Sequence, residues 1–130
     1  MTKTVQEVNT ELLLKEIVNL IIEKKGNNVL SIKFTPEISN ICDYFIITDT
    51  NSSRHAKAIF EYIIEKIKEK YNIKPYYTQG ADNAEWIIID YIDIVVHIFI
   101  KEKRDFYDLE GLWADAQFTN YSKNIDANGK

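Results

Sequence analysis

The chain has 130 residues, 45% of them hydrophobic and 28% charged, which is enough for one folded core and too little for two. That composition excludes a charge-rich disordered polymer. A net charge of −4 and a pI near 5.2 argue against broad electrostatic binding to nucleic acid, which needs concentrated basic surface, so a protein partner fits better.

Residues 1–8 carry neither the apolar core nor the cleavage site of a signal peptide and read as a flexible lead-in to a single domain over 9–118. From Asn9 to Lys25, Leu13, Ile17, Leu20, Ile21 and Lys24 recur at helical spacing, with Asn9 or Thr10 as N-cap and Gly26 as stop. Val29 to Phe34 alternates and is closed by Thr35-Pro36, and Tyr44 to Thr48 is a β-rich run, so two strands are predicted. Cys42, the single cysteine, has no histidine near it in sequence. It reads as an inert small side chain and fits a reducing cytoplasm.

Asp49-Thr50-Asn51 reads as a loop into a second helix from Ser52 to Tyr71, where Ala56, Ile59, Phe60, Ile63, Ile64 and Ile67 form a broad apolar stripe. Three further strands are predicted near Lys74 to Thr78, Glu85 to Asp90 and Ile94 to Ile100, the last two joined as a hairpin through Tyr91-Ile92-Asp93. Arg104 to Ala116 is aromatic-rich and predicted helical, while 119–130 reads as a polar C-terminal tail. No apolar run reaches the roughly 18 to 20 residues that span a bilayer, so no membrane insertion is expected. The order of elements predicts an α/β fold, a single domain with a mixed sheet of about five strands covered by helices, the Ser52 helix serving as crossover.

Ser52 and Ser53 are good helix caps, but Arg54, His55 and Lys57 place cations where the helix dipole favours acids. The cluster reads equally as an anion contact or as a solvated helix end, and no Gly-rich phosphate loop precedes it. Asp90 and Asp93 flank the hairpin turn. Turn chemistry explains them more simply than metal binding or acid/base catalysis, because a third ligand and a recognisable base are missing. The two histidines, His55 and His97, match no zinc motif. In a strand, His97 shares a face with Asp93, Val95 and Phe99, while Ile94, Val96, Ile98 and Ile100 take the other, core face. His97 is then a hydrogen-bonded structural residue or part of a functional face, and periodicity does not choose. Phe106, Tyr107, Leu109, Leu112 and Trp113 are more large side chains than one short helix buries, which suggests a shared core and interface role.

Taken in order, Asp43 with its following strand, Ser52-Ser53-Arg54-His55, Ala84-Glu85-Trp86, Asp90 through His97, and Phe106-Tyr107-Asp108-Leu109-Glu110-Gly111-Leu112-Trp113 resemble the ribosomal silencing factor, or Iojap-like, family over about Asn9 to Ala116. The resemblance implies a nucleotidyltransferase-like fold without an established transferase activity, and no catalytic residue, cofactor or metal is expected. It implies docking on large-subunit ribosomal protein fourteen of the large ribosomal subunit. Docking there would obstruct joining of the small subunit, repressing translation when nutrients are scarce, with a further part in large-subunit maturation.

Carried over residue by residue, Trp86, His97, Tyr107, Leu109 and Trp113 form or support the docking face, with Arg54 and His55 as further contacts. Two positions depart from the family pattern: Gln79 stands where members commonly have an acidic residue, and Ile92 where they have glycine. The second requires either a turn in which residue 92 avoids positive φ or local strain. The rival readings are a nucleotide-dependent transferase, with Arg54 on phosphate and Asp90 with Asp93 on a metal, and a generic homodimeric adaptor. A homodimer off the ribosome remains open as a further state.

Overall fold

The first helix forms where the apolar spacing calls for it. The computed structural model, which describes residues 9–121, places α1 over Thr10–Glu23. The Asn9 side chain accepts from the Leu12 amide at 2.8 Å, satisfying one of the donors the first turn leaves free. Beyond the helix the chain turns left-handed at Lys25 (φ 65°) rather than at the neighbouring glycine. Gly26 serves close packing instead, since a Cβ there would lie 2.5 Å from Ile21 and 2.7 Å from Thr48.

Strands β1 (Asn27–Lys33) and β2 (Tyr44–Thr50) pair antiparallel, followed by α2 (Ser53–Tyr71), β3 (Tyr77–Gln79), β4 (Trp86–Asp90) and β5 (Ile94–Ile100). The crossover role expected of α2 holds: β5 returns parallel to β2, with Ile47 opposite His97. β2 runs two residues further than its apolar pattern, through Asp49 and Thr50, which read as loop in the sequence but are buried. Polar side chains hide the strand from a hydrophobicity pattern.

The sheet has six strands rather than about five, in the order β3-β4-β5-β2-β1-β6. The extra strand, β6 (Gln117–Asn120), pairs antiparallel with β1 and enters the segment read as a polar tail. Four residues with one large apolar side chain, Phe118, are too few for alternation to show. The single helix expected over Arg104 to Ala116 is two, α3 (Lys101–Tyr107) and α4 (Leu109–Leu112). Asp108 breaks them by adopting the left-handed region (φ 48°), which aspartate tolerates, and its carboxylate then accepts from the Gly111 amide at 3.2 Å. The expectations for residues 1–8 and 122–130 lie outside the described residues.

Side-chain alternation divides the interior into two cores. On one face of the sheet Ile46, Ile87, Ile89, Ile94, Val96 and Ile98 pack against Ile17 and Ile21 of α1 and Ile59, Ile63 and Ile67 of α2. This is the core face assigned from the parity of β5. The opposite face carries Leu30, Ile32, Phe45, Ile47, Val95, Phe99 and the half-buried Trp86, and its cover is thinner: Phe34, Leu109 and the half-buried Trp113. Two long helices therefore shield one side, and two short ones the other.

The β4–β5 hairpin resolves the question posed by Ile92. Its φ is +78°, so the turn keeps the backbone shape that glycine favours and a β-branched residue bears the strain. Asp90 relieves part of it, accepting from the Ile92 amide at 2.7 Å through Oδ1. Ile92 is also 56% exposed, so little packing offsets the strain. Ile92→Gly is expected to raise stability by about 1 kcal/mol, seen as a higher urea midpoint at unchanged slope. A lower midpoint would show that the turn is unstrained.

Candidate functional site

The thinly covered face is built from rings. Cross-strand pairing sets Trp86 of β4 opposite Phe99 of β5, and Ile88 opposite His97. Trp86 stacks on Phe99 with ring centroids 4.9 Å apart, and Tyr107 of α3 lies 4.6 Å from Trp86. Phe106 meets Tyr107 edge-on at 5.1 Å. The series continues inward through His97 and Phe45 (4.4 Å) and, beside them, Phe34 and Trp113 (5.1 Å). Offset and edge-on geometries of this kind hold each ring more firmly than apolar burial alone.

Burial grades the predicted residues. Tyr107 is 43% exposed, Trp86 and Trp113 are intermediate, and Leu109 and His97 are buried at 9% and 5%. Leu109 and Trp113 thus support the face from below. Phe106 and Leu112, at 77% and 70% exposed, stand out from α3 and α4, and Phe118 of β6 is 40% exposed. The sequence flags Phe106 and Leu112 only as members of a crowded segment. Phe118 gives no signal, because the strand that presents it is not legible.

His97 is a support. Its Nδ1 accepts the Trp86 indole N–H at 3.1 Å, which fixes the ring proton of the neutral form on Nε2 and fixes the plane of the indole. Nε2 is buried with no partner among the described residues. Burial pushes the His97 pKa down to about 3 from the usual 6.5, so the ring is neutral at physiological pH. Between those two values the unfolded chain binds a proton that the folded chain does not. Stability is therefore lost as pH falls through that window, by at most about 1.4 kcal/mol per pH unit. His97→Gln retains an acceptor for Trp86, and its stability should lose less than the wild type's between pH 7 and 4 in urea titrations. Parallel losses in the two proteins would contradict the assignment.

A buried cation that the sequence does not single out underlies the same face. Arg104, 7% exposed, donates through Nη1 to Asp49 Oδ2 (2.9 Å) and to the Asn28 carbonyl (2.7 Å). Its Nε and Nη2 both reach Glu110 Oε2, at 3.1 and 2.9 Å. This pairing explains the burial of Asp49. Breaking such a pair on one side strands the other charge and typically costs about 3–5 kcal/mol.

The structure does not bring Arg54 and His55 to this face. They open α2, on the helical side of the sheet; Arg54 is exposed, and the His55 Nε2 lies 2.6 Å from the Lys24 carbonyl, bracing α2 against the end of α1. The Ser52 hydroxyl caps α2 at the His55 amide (3.1 Å). Gln79 accepts from the Tyr77 hydroxyl at 2.9 Å, a neutral contact at the edge strand. Cys42 donates to the Tyr44 carbonyl at 3.3 Å, and burial pushes its thiol up to about 12, so thiolate is scarce at neutral pH. Among the described residues, no cluster of three or more His, Cys, Asp or Glu side chains could hold a metal. No helix there is long and apolar enough to cross a membrane.

Fold and site together define an α/β domain, a mixed sheet backed by helices whose other face presents rings. Comparison with known proteins makes that class particular. The family described as ribosomal silencing factor during starvation matches residues 6–129, and the chain belongs to this family. It is 36% identical to the ribosomal silencing factor RsfS of Halalkalibacterium halodurans over 104 residues, covering 80% of this chain and 87% of that protein. Identity to the Bacillus subtilis RsfS is 34% over 109 residues, covering 84% and 91%. The mouse protein named mitochondrial assembly of ribosomal large subunit protein 1 is 30% identical over 85% of this chain and 49% of its own length. Among solved structures, a Chromobacterium violaceum protein superposes with a TM-score of 0.76 at 25% identity, covering 82% of this chain and 87% of that one. One from Bacillus halodurans gives 0.68 at 35% identity, covering 81% and 95%.

Proposed function

We propose that this protein binds the large ribosomal subunit through its ring-bearing sheet face, with large-subunit ribosomal protein fourteen as the contact, and blocks joining of the small subunit by occupying the surface between them. The observation that carries this reading is the exposed group Phe106, Tyr107 and Leu112, which α3 and α4 present above a rigid stack of Trp86 and Phe99. Rigid aromatic anchors beside a polar rim are the usual centre of a protein interface. Membership of the silencing-factor family, and the large-subunit assembly named for the mouse relative, support the choice of partner.

The mechanism is steric and involves no bond making. Trp86 and Tyr107 make the contact, His97 holds the Trp86 plane, and Leu109 with Trp113 seats the short helices. Arg54 and His55, on the other side of the sheet, are left for a peripheral contact, and a second copy is a competitor for the same face off the ribosome. Action in the cytoplasm and a part in large-subunit maturation follow from the same partner. A transferase reading has less support, because Asp90 spends an oxygen on its own turn and Arg54 lies in the helical layer.

Purified protein should co-sediment with isolated large subunits without nucleotide and remain in the supernatant with small subunits. Equal partition with both would refute the reading, and binding dependent on Mg-nucleotide would favour the transferase.

A further inference from the structure

We infer that Arg104 is the positioning residue of the docking face, the tie that holds α3 and α4 in the orientation a partner recognises; the inference rests on the docking reading above. The two helices are seven and four residues long, too short to be stable alone. An apolar stripe would ordinarily fasten such elements, yet the buried residue of α3 is Arg104 itself.

Its guanidinium joins three separate parts of the fold: the Asn28 carbonyl in β1, Asp49 in β2 and Glu110 in α4. Tyr107, the last residue of α3, then rests on Trp86, with ring centroids 4.6 Å apart and Phe99 at 6.5 Å beyond it. One cation serves two carboxylates here, and Asp49 Oδ1 has no partner among the described residues. The site therefore relies on Arg104 for its charge balance. At 7% exposure, Arg104 cannot itself be the surface a partner touches. Lysine would keep the charge but lose the fork that reaches three acceptors at once.

Loosening this tie makes the partner bear the cost of ordering residues 101–113, which weakens binding without removing any contact side chain. The test compares wild type, Arg104→Lys and the milder Glu110→Gln, using amide hydrogen exchange and co-sedimentation with purified large ribosomal subunits. Expected are wild-type protection in α1 and α2, faster exchange across 101–113, and an affinity at least tenfold lower for Arg104→Lys. Adding Tyr107→Ala to Arg104→Lys should then cost far less affinity than in the wild-type background, a non-additivity that general destabilisation does not produce. If Arg104→Lys unfolds globally, Glu110→Gln must show the same pairing of faster 101–113 exchange with weaker binding.

Faster exchange with unchanged affinity would overturn the inference, as would weaker binding with wild-type protection over 101–113. If the wild type itself fails to bind subunits, the docking reading falls and takes the inference with it. Wild-type binding together with a neutral Arg104→Lys overturns the inference alone.

Discussion

Tyr107→Ala is expected to lower affinity for the large ribosomal subunit by about 30-fold or more, the loss that follows when a central aromatic anchor worth about 2 kcal/mol is truncated. Tyr107 is suited to the test because it is 43% exposed, with its ring resting on Trp86 and meeting Phe106 edge-on. Its removal leaves both cores intact, so stability should change by less than about 1 kcal/mol. Trp86→Ala should weaken binding as strongly, but the interpretation is mixed. That change also empties part of the second core and leaves the His97 Nδ1 without its donor. Co-sedimentation paired with circular dichroism separates the two effects, and unchanged affinity in a folded Tyr107→Ala protein would take Tyr107 out of the interface.

Gly80→Ala is expected to destabilise the fold by about 3 kcal/mol or more and to weaken subunit binding with it. Gly80 has φ +91°, and a Cβ there would sit 2.1 Å from the Trp86 carbonyl oxygen and 3.1 Å from its carbonyl carbon. The clash is with backbone, so no rotamer relieves it. Either the β3 edge separates from β4 or the Trp86 backbone moves, and the second displaces the indole from Tyr107. Denaturant unfolding reads the first effect, and tryptophan fluorescence in a Trp113→Phe background, where Trp86 is the remaining indole, the second. A variant with wild-type midpoint and spectrum would show that the close approach is dispensable.

Long periodic segments carried the fold into the sequence legibly. The stripe on α2 and the parity of β5 assigned the helical core face correctly, because α2 has 19 residues and β5 seven, enough for a repeat to show. Asp49 defeated the same logic: it looks like loop because it is charged, and it is buried because Arg104 arrives from 55 residues away in sequence. β6 defeated it by being short. The segment from Phe106 to Trp113 is legible as a crowd of large side chains, yet its division into exposed Phe106 and Leu112 and buried Leu109 depends on the left-handed turn at Asp108. The Ile92 strain follows from the opposite case, a departure visible in the sequence whose outcome only the turn geometry decides.

The most direct test of steric silencing is a subunit-joining assay by light scattering, in which large subunits are saturated with the protein before small subunits are added. The account predicts that joining falls toward zero at one protein per large subunit, and that Tyr107→Ala at the same concentration leaves joining largely intact. Full joining by large subunits that still carry the bound protein would contradict it.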